Sequence, residues 1–273
     1  MEVGIIGTGN MGTILAEAML NANAVSPSSM TVTNRTKAKA TLLKNTFSEL
    51  KIETNAIEVA KQSELIFICV KPHDVYDILN QIKSVMTKNH CVVSITSPIS
   101  VMNLESQLAC SVARIIPSIT NRAFSGVSLF SFGNQCTEEW KKKLWSLFEK
   151  ISVPVEIDEN ITRVSSDIVS CGPAFFSYLI QRFITAAIQE TNINQETATK
   201  LASEMIIGFG ELLKKGYYTL PTLQEKVCVK GGITGEGIKV LETELGDVFE
   251  HVFQATHRKF KEDLAHIAQQ YSN

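Results

Sequence analysis

The glycines at positions 7, 9 and 12 are spaced as Gly-x-Gly-x-x-Gly, directly after the apolar run Val3 to Ile6. An apolar segment of helical spacing, Ile14 to Leu20, follows them. A glycine loop between a strand and a helix is the arrangement that holds the pyrophosphate of a dinucleotide. Gly7 permits the tight turn, Gly9 lets the backbone approach the phosphates, and Gly12 lets helix and strand pack closely. The unpaired N–H groups at the helix start then face negative charge. Ile6, Gly7, Thr8, Gly9, Asn10 and Met11 make up the candidate cofactor-binding loop.

About 20 residues beyond such a loop, dinucleotide folds place the side chain that meets the ribose 2′ position. Here the second strand, Met30 to Thr33, runs into Asn34-Arg-Thr-Lys37 with no acid. Arg35 and Lys37 supply positive charge, while Asn34 and Thr36 supply hydrogen bonds. Cations at a helix start oppose its dipole, so a bound anion accounts for them. NADP(H) is therefore favoured over NAD(H). A third candidate wall is Val70-Lys71-Pro72, at the end of the continuous apolar run from Leu65. Such a run suits a central parallel strand, and the ligands of doubly wound sheets bind beyond strand ends.

The elements that must position these residues alternate. Strands are expected at Leu50 to Glu53, Cys91 to Ile95, Ser111 to Ile116, Gly126 to Phe132 and Val153 to Ile157. Helices are expected at Lys37 to Phe47, Asn55 to Lys61, Asp74 to Met86, Val101 to Leu108 and from a Thr137 cap to Lys150. Alternation of this kind predicts a parallel, doubly wound sheet. From about Asn160 the strand patterns cease. Helices are expected from Ser170-Cys-Gly-Pro173 to Glu190, with the proline in the first turn where its missing N–H costs little. More follow over Gln195 to Lys214, Leu223 to Val229, Thr234 to Leu245 and Asp247 to Tyr271. The fold class is thus α/β, a Rossmann-type doubly wound sheet over residues 1–160 followed by an all-helical domain over 161–273.

The bulk properties bound the function. The chain has 273 residues, enough for about two domains. Apolar residues make up 44% and charged residues 20%, and the formal net charge is −2. That balance favours neither nucleic acid nor an anionic membrane as partner. No signal peptide or membrane span is expected. The six cysteines show no ligand spacing, so no metal site is expected, and they read as reduced thiols of a cytoplasmic protein.

The sequence resembles the pyrroline-5-carboxylate reductase family over nearly its whole length, most nearly the late-competence, ComER-like branch. Gly7-Thr-Gly-Asn-Met-Gly12, Thr33-Asn-Arg-Thr36, Asn55 and Phe67-Ile-Cys-Val-Lys-Pro-His73 carry the likeness. So do Gly172-Pro-Ala174 and Gly231-Gly-Ile-Thr234, which are the more specific. The resemblance implies reduction of the C=N bond of 1-pyrroline-5-carboxylate, or a similar cyclic imine, to L-proline by a homodimer or higher oligomer built on interlocked helices. It implies that Asn34, Arg35 and Thr36 hold the 2′-phosphate of NADP, that Asn55 meets the adenosine, and that Val70, Lys71 and Pro72 flank the nicotinamide. Gly231, Gly232, Ile233, Thr234 and Ser118 would bind substrate, with Thr234 and Lys71 as the catalytic candidates. Free N–H groups at Gly231-Gly232 suit a carboxylate, and the Thr234 hydroxyl suits the ring nitrogen.

The chain departs from the family pattern at Thr96-Ser97-Pro98, Pro117-Ser-Ile-Thr120, Gln181, Thr185 and Val229-Lys-Gly-Gly-Ile-Thr234. These departures keep open an alternative, an NADP(H)-binding competence or regulatory protein with weak or no turnover. A hydroxyacid dehydrogenase shares the glycine start, but its chemistry calls for a proton-accepting group, commonly a lysine, and residues 164–178 contain no lysine.

Overall fold

A computed structural model describes residues 1–271. Their contacts divide into two compact units. The first comprises Met1–Pro173 together with the chain from Phe253 onward, and the second comprises Ala174–Val252.

The first unit is an eight-stranded sheet flanked by helices. In chain order it contains β1 (Val3–Ile6), α1 (Asn10–Asn21), β2 (Met30–Thr33), α2 (Lys37–Thr46), β3 (Lys51–Ile52), α3 (Ala56–Lys61), β4 (Leu65–Ile68) and α4 (Pro72–Ile82). Next come β5 (Cys91–Ser94), α5 (Val101–Glu105), β6 (Ser111–Ile116), β7 (Val127–Phe132), α6 (Glu138–Phe148) and β8 (Val153–Glu156). The strand order is 3-2-1-4-5-6-7-8. Its first six strands have the dinucleotide-binding order, with the reversal between β1 and β4. Strands β1, β2, β4, β5 and β6 are buried at every residue, as apolar runs covered on both faces should be. Two apolar clusters cover the faces, one around Leu15, Phe67 and Phe148, the other around Val59, Val75 and Leu79.

The expectation of an all-parallel sheet is corrected at one edge. β7 runs antiparallel to β6, and β8 parallel to β7. Only a short 3-10 turn over Ile119–Ala123 joins β6 to β7, too little chain for the crossover a parallel pair requires.

The second correction concerns the interdomain helix. Helical structure starts ten residues before Gly172, with α7 (Thr162–Ser166), continues through a π turn over Asp167–Cys171, and passes into α8 (Gly172–Glu190). Pro173 is therefore inside the helical run and not in its first turn. In an α-helix its N–H would bond the Val169 carbonyl, and proline has none. Ser118 Oγ donates to that carbonyl instead, at 2.8 Å. Ser170 Oγ donates to the Pro117 carbonyl at 2.9 Å. The π turn is thus stitched to the end of β6, within the first unit.

The second unit holds most of α8, then α9 (Gln195–Lys214), α10 (Leu220–Val227), α11 (Ile233–Glu244) and the first turn of α12 (Val248–Tyr271). Its buried cluster is small, with Ile184, Ala198 and Ala202 at its centre. Among the described residues, no helix is long and apolar enough to cross a membrane.

Candidate functional site

A cleft of about 480 Å³ opens at the carboxyl ends of β1, β2 and β4. Its floor is the glycine loop. Gly7 has φ +103, and a Cβ there would lie 2.7 Å from the Cys69 carbonyl oxygen, so only glycine fits. A Cβ on Gly12 would collide with the Gly7 carbonyl, whereas a Cβ on Gly9 would meet nothing within 4 Å. Gly9 therefore faces open cleft, as close approach of a phosphate requires. It is also the N-cap of α1, which has no side-chain cap and no acid in its first turn. That leaves first-turn N–H groups and the positive dipole end for an anion.

The loop is braced from below. Asn34 Oδ1 accepts from the Thr8 N–H at 3.0 Å, and Asn34 Nδ2 donates to the Thr36 carbonyl at 3.0 Å. Asn34 thus ties the β1–α1 loop to the start of α2, a positioning role in addition to lining the cleft. Thr8 is buried behind the loop. Asn10, Met11 and Pro72 flank the cleft in sequence without lining it; Met11 packs against the core, and Pro72 opens α4.

Arg35 and Thr36 line the β2 side. The second cation there is Lys39, not Lys37. α2 begins at Lys37, and Lys39 on its first turn faces the cleft. Asn55 lines the far side and caps α3, accepting from the Glu58 N–H at 3.0 Å. Val70 and Lys71 form the wall after β4, with Cys69 beside them. Burial pushes the Cys69 thiol well above its ordinary range, so the wall there is neutral and not a thiolate.

Sequence reasoning missed part of the wall. Asp74, Asp77, Ile78 and Gln81 of α4 and Thr54 before α3 line the cleft. A signal was present: 74, 77/78 and 81 form one helical stripe, and Val75, Leu79 and Ile82 form the buried one.

Ser118, expected to bind substrate, is buried and committed to Val169. Its oxygen also accepts from the Thr120 N–H and Thr120 Oγ1. Its hydroxyl proton goes to the Val169 carbonyl, to which Pro173 has no N–H to offer.

Gly231, Gly232, Ile233 and Thr234 lie in the second unit, at the start of α11. Gly231 has φ +76, and Gly232 is the N-cap with no side-chain cap. Thr234 is inside the first turn and does not cap the helix, and Ile233 is 93% exposed. The Gly232 N–H is held by the Val229 carbonyl at 2.9 Å, and Glu236 places an acid in the first turn, so the helix start presents its own first-turn N–H groups and an exposed hydroxyl-bearing residue. Among the described residues, no group of three His, Cys, Asp or Glu side chains is arranged to hold a metal ion.

Beside the β5 end, Arg114 is fully buried and pairs with both Glu159 oxygens at 2.9 and 2.7 Å. It also donates to the Ser97 carbonyl and to Thr162 Oγ1. Arg163 pairs with the buried Asp167 at 2.9 Å, and Thr256 Oγ1 donates to the same carboxylate at 2.7 Å.

These features define a pyridine-nucleotide-binding oxidoreductase fold joined to a helical assembly domain. Residues 159–263 match the family model for pyrroline-5-carboxylate reductase dimerisation, and residues 2–98 match that for NADP oxidoreductase, coenzyme F420-dependent. The chain is 51% identical to ComE operon protein 4 of Bacillus subtilis, covering 99% of both chains. It is 28% identical to pyrroline-5-carboxylate reductase 3 of the same organism, over 95% of this chain and 96% of that one. The solved pyrroline carboxylate reductase of Plasmodium falciparum, with NADP bound, superposes with a TM-score of 0.83 at 24% identity, covering 97% of each chain. The chain belongs to the pyrroline-5-carboxylate reductase family, in its ComE operon protein 4-like branch.

Proposed function

We propose that the protein reduces 1-pyrroline-5-carboxylate, or a closely similar cyclic imine, with NADPH. The observation that carries this reading is the cleft at the β1, β2 and β4 ends. It combines an open Gly9, an uncapped α1 and the cations Arg35 and Lys39. That donor set fits a dinucleotide bearing a 2′-phosphate. In this reading residues 1–160 serve the nucleotide, and residues 161–273 serve assembly and substrate.

When bound, NADPH supplies the hydride that adds to the C=N carbon, while the ring nitrogen keeps a proton and becomes the amine of proline. The chain's own residues hold the reactants. The glycine loop and α1 start hold the pyrophosphate, and Arg35, Thr36 and Lys39 hold the 2′-phosphate. Asn55 meets the adenosine, and Val70 and Lys71 border the nicotinamide, with Pro72 starting α4 behind them. Gly231 and the first-turn N–H groups of α11 face the substrate carboxylate, and the Thr234 hydroxyl bonds the ring nitrogen. A cyclic imine is partly protonated near neutrality, so orientation supplies most of the rate enhancement. The working form is a cytoplasmic homodimer or larger oligomer. The family's dimerisation domain and the exposed apolar faces of α8 and α9 support this assembly.

A second reading rests on the α11 start. Lys230 and the outward Ile233 replace the family's usual residues there, and they fit an NADPH-binding protein with a regulatory role and little turnover. The test is NADPH oxidation with 1-pyrroline-5-carboxylate, beside NADPH affinity by fluorescence. Turnover of about 1–10³ s⁻¹, lost in Thr234→Ala, supports the reductase. Tight binding without turnover moves the assignment to the second reading.

A further inference from the structure

The last turns of α12 return to the nucleotide-binding unit and seat on α4. The family's dimerisation match ends at residue 263, yet the described chain continues to 271. Ile267 is buried in the same apolar cluster as Val75, Leu79 and Ile82 of α4. Tyr271 meets Tyr76 edge to face, with ring centroids 5.0 Å apart. Gln270 Nε2 donates to the His73 carbonyl at 3.1 Å.

These contacts grip the first two turns of α4, and the neighbouring stripe of that same helix is cleft wall. Asp74, Asp77 and Ile78 line the cleft, alternating in sequence with the gripped His73, Val75 and Tyr76. α4 also begins directly after Val70 and Lys71, which form the wall beyond β4. A shift of its first turn would move both walls together.

We infer that the C-terminal segment 264–271 is a clamp that sets the position of α4 and thereby the affinity of the cleft for its nucleotide. Ile267, Gln270 and Tyr271 are positioning residues, since they line no part of the cleft themselves. The inference rests on the nucleotide reading of the cleft. By linkage the effect is reciprocal: if the clamp tightens nucleotide binding, nucleotide must hold the clamp closed by the same factor.

The test uses the full chain and NADPH as the probe. NADPH affinity is measured by fluorescence for the wild type, for Gln270→Ala, which removes one hydrogen bond, and for Gln270→Ala with Tyr271→Ala. Circular dichroism checks that each is folded. Amide exchange of segment 264–271 in the wild type is followed with and without NADPH. The expected result is affinity weakened about five-fold in the double variant, with slower exchange of the segment when NADPH is present. Unchanged affinity in folded variants, with exchange indifferent to NADPH, would overturn the clamp and leave the nucleotide reading standing. A wild type that does not bind NADPH would overturn both.

Discussion

The two units solve the burial problem in opposite ways. In the first, Phe67, Phe130 and Phe148 are wholly buried, and both faces of the sheet are covered by helices of the same unit. In the second, α8 exposes Phe176, Leu179 and Phe183 on one stripe, while Ile180, Ile184 and Ile188 face inward. α9 likewise exposes Leu201 and Met205 and buries Ala198 and Ala202. One amphipathic stripe per helix suffices for a helix packed on one side. Two stripes require a second partner. The first unit is a complete core carrying a site, and the second is half of a core.

The sharpest way to break this comparison is to charge the exposed stripe. Phe183→Asp with Leu201→Asp places two carboxylates where an apolar partner should sit, and each unpaired buried charge costs about 3–5 kcal/mol. Sedimentation should show loss of the oligomer, and NADPH affinity should persist, because the cleft belongs wholly to the first unit. An oligomer that survives both substitutions would mean that these faces are not the interface.

The converse change acts inside the first unit. Gly7→Val forces a β-branched residue to positive φ and drives its Cβ into the Cys69 carbonyl. Strain and overpacking together amount to about 3 kcal/mol. Titration should show NADPH affinity reduced by about 100-fold or more, with the oligomer intact by sedimentation. Loss of assembly instead would show that the two units depend on one another.

Ser118→Ala probes the seam where the helical run leaves the sheet. It leaves the Val169 carbonyl without its donor beside Pro173, at a cost of about 1–3 kcal/mol. Chemical denaturation should read that loss, and the substrate KM should not change. A raised KM with unchanged stability would place Ser118 in the substrate site.

The sequence showed most of the cleft because its constraints are local. The glycine spacing, the basic turn after β2 and the apolar run ending at Val70 each declare themselves within a dozen residues. What it hid was set by distant contacts. Ser118 reads as a pocket hydroxyl until Val169, 51 residues away, is seen to need its proton. Pro173 reads as a helix start because nothing local reveals a π turn with an outside donor. The β7 reversal depends on the short turn before it. The seating of the end of α12 on α4 depends on Ile267 joining the α4 cluster, which periodicity in one helix cannot disclose.

Lys39 supplies the smallest expected effect and separates the two ways of reading the basic turn. Spacing drew attention to Lys37, but the helix starting there places Lys39 in the cleft wall with Arg35. Both side chains are exposed, so their attraction for a phosphate is screened by water and salt. A solvated ion pair is worth about 0.2–1 kcal/mol, so Lys39→Ala should weaken NADPH binding by no more than about five-fold. Lys37→Ala should leave it unchanged. The loss should shrink as salt is raised, because the Debye length falls from about 10 Å at 0.1 M to about 3 Å at 1 M. NADH, which has no 2′-phosphate, should bind both variants as it binds the wild type. Equal losses for NADH and NADPH would place Lys39 against the pyrophosphate or adenine, and the preference for NADP would then rest on Arg35 and Thr36.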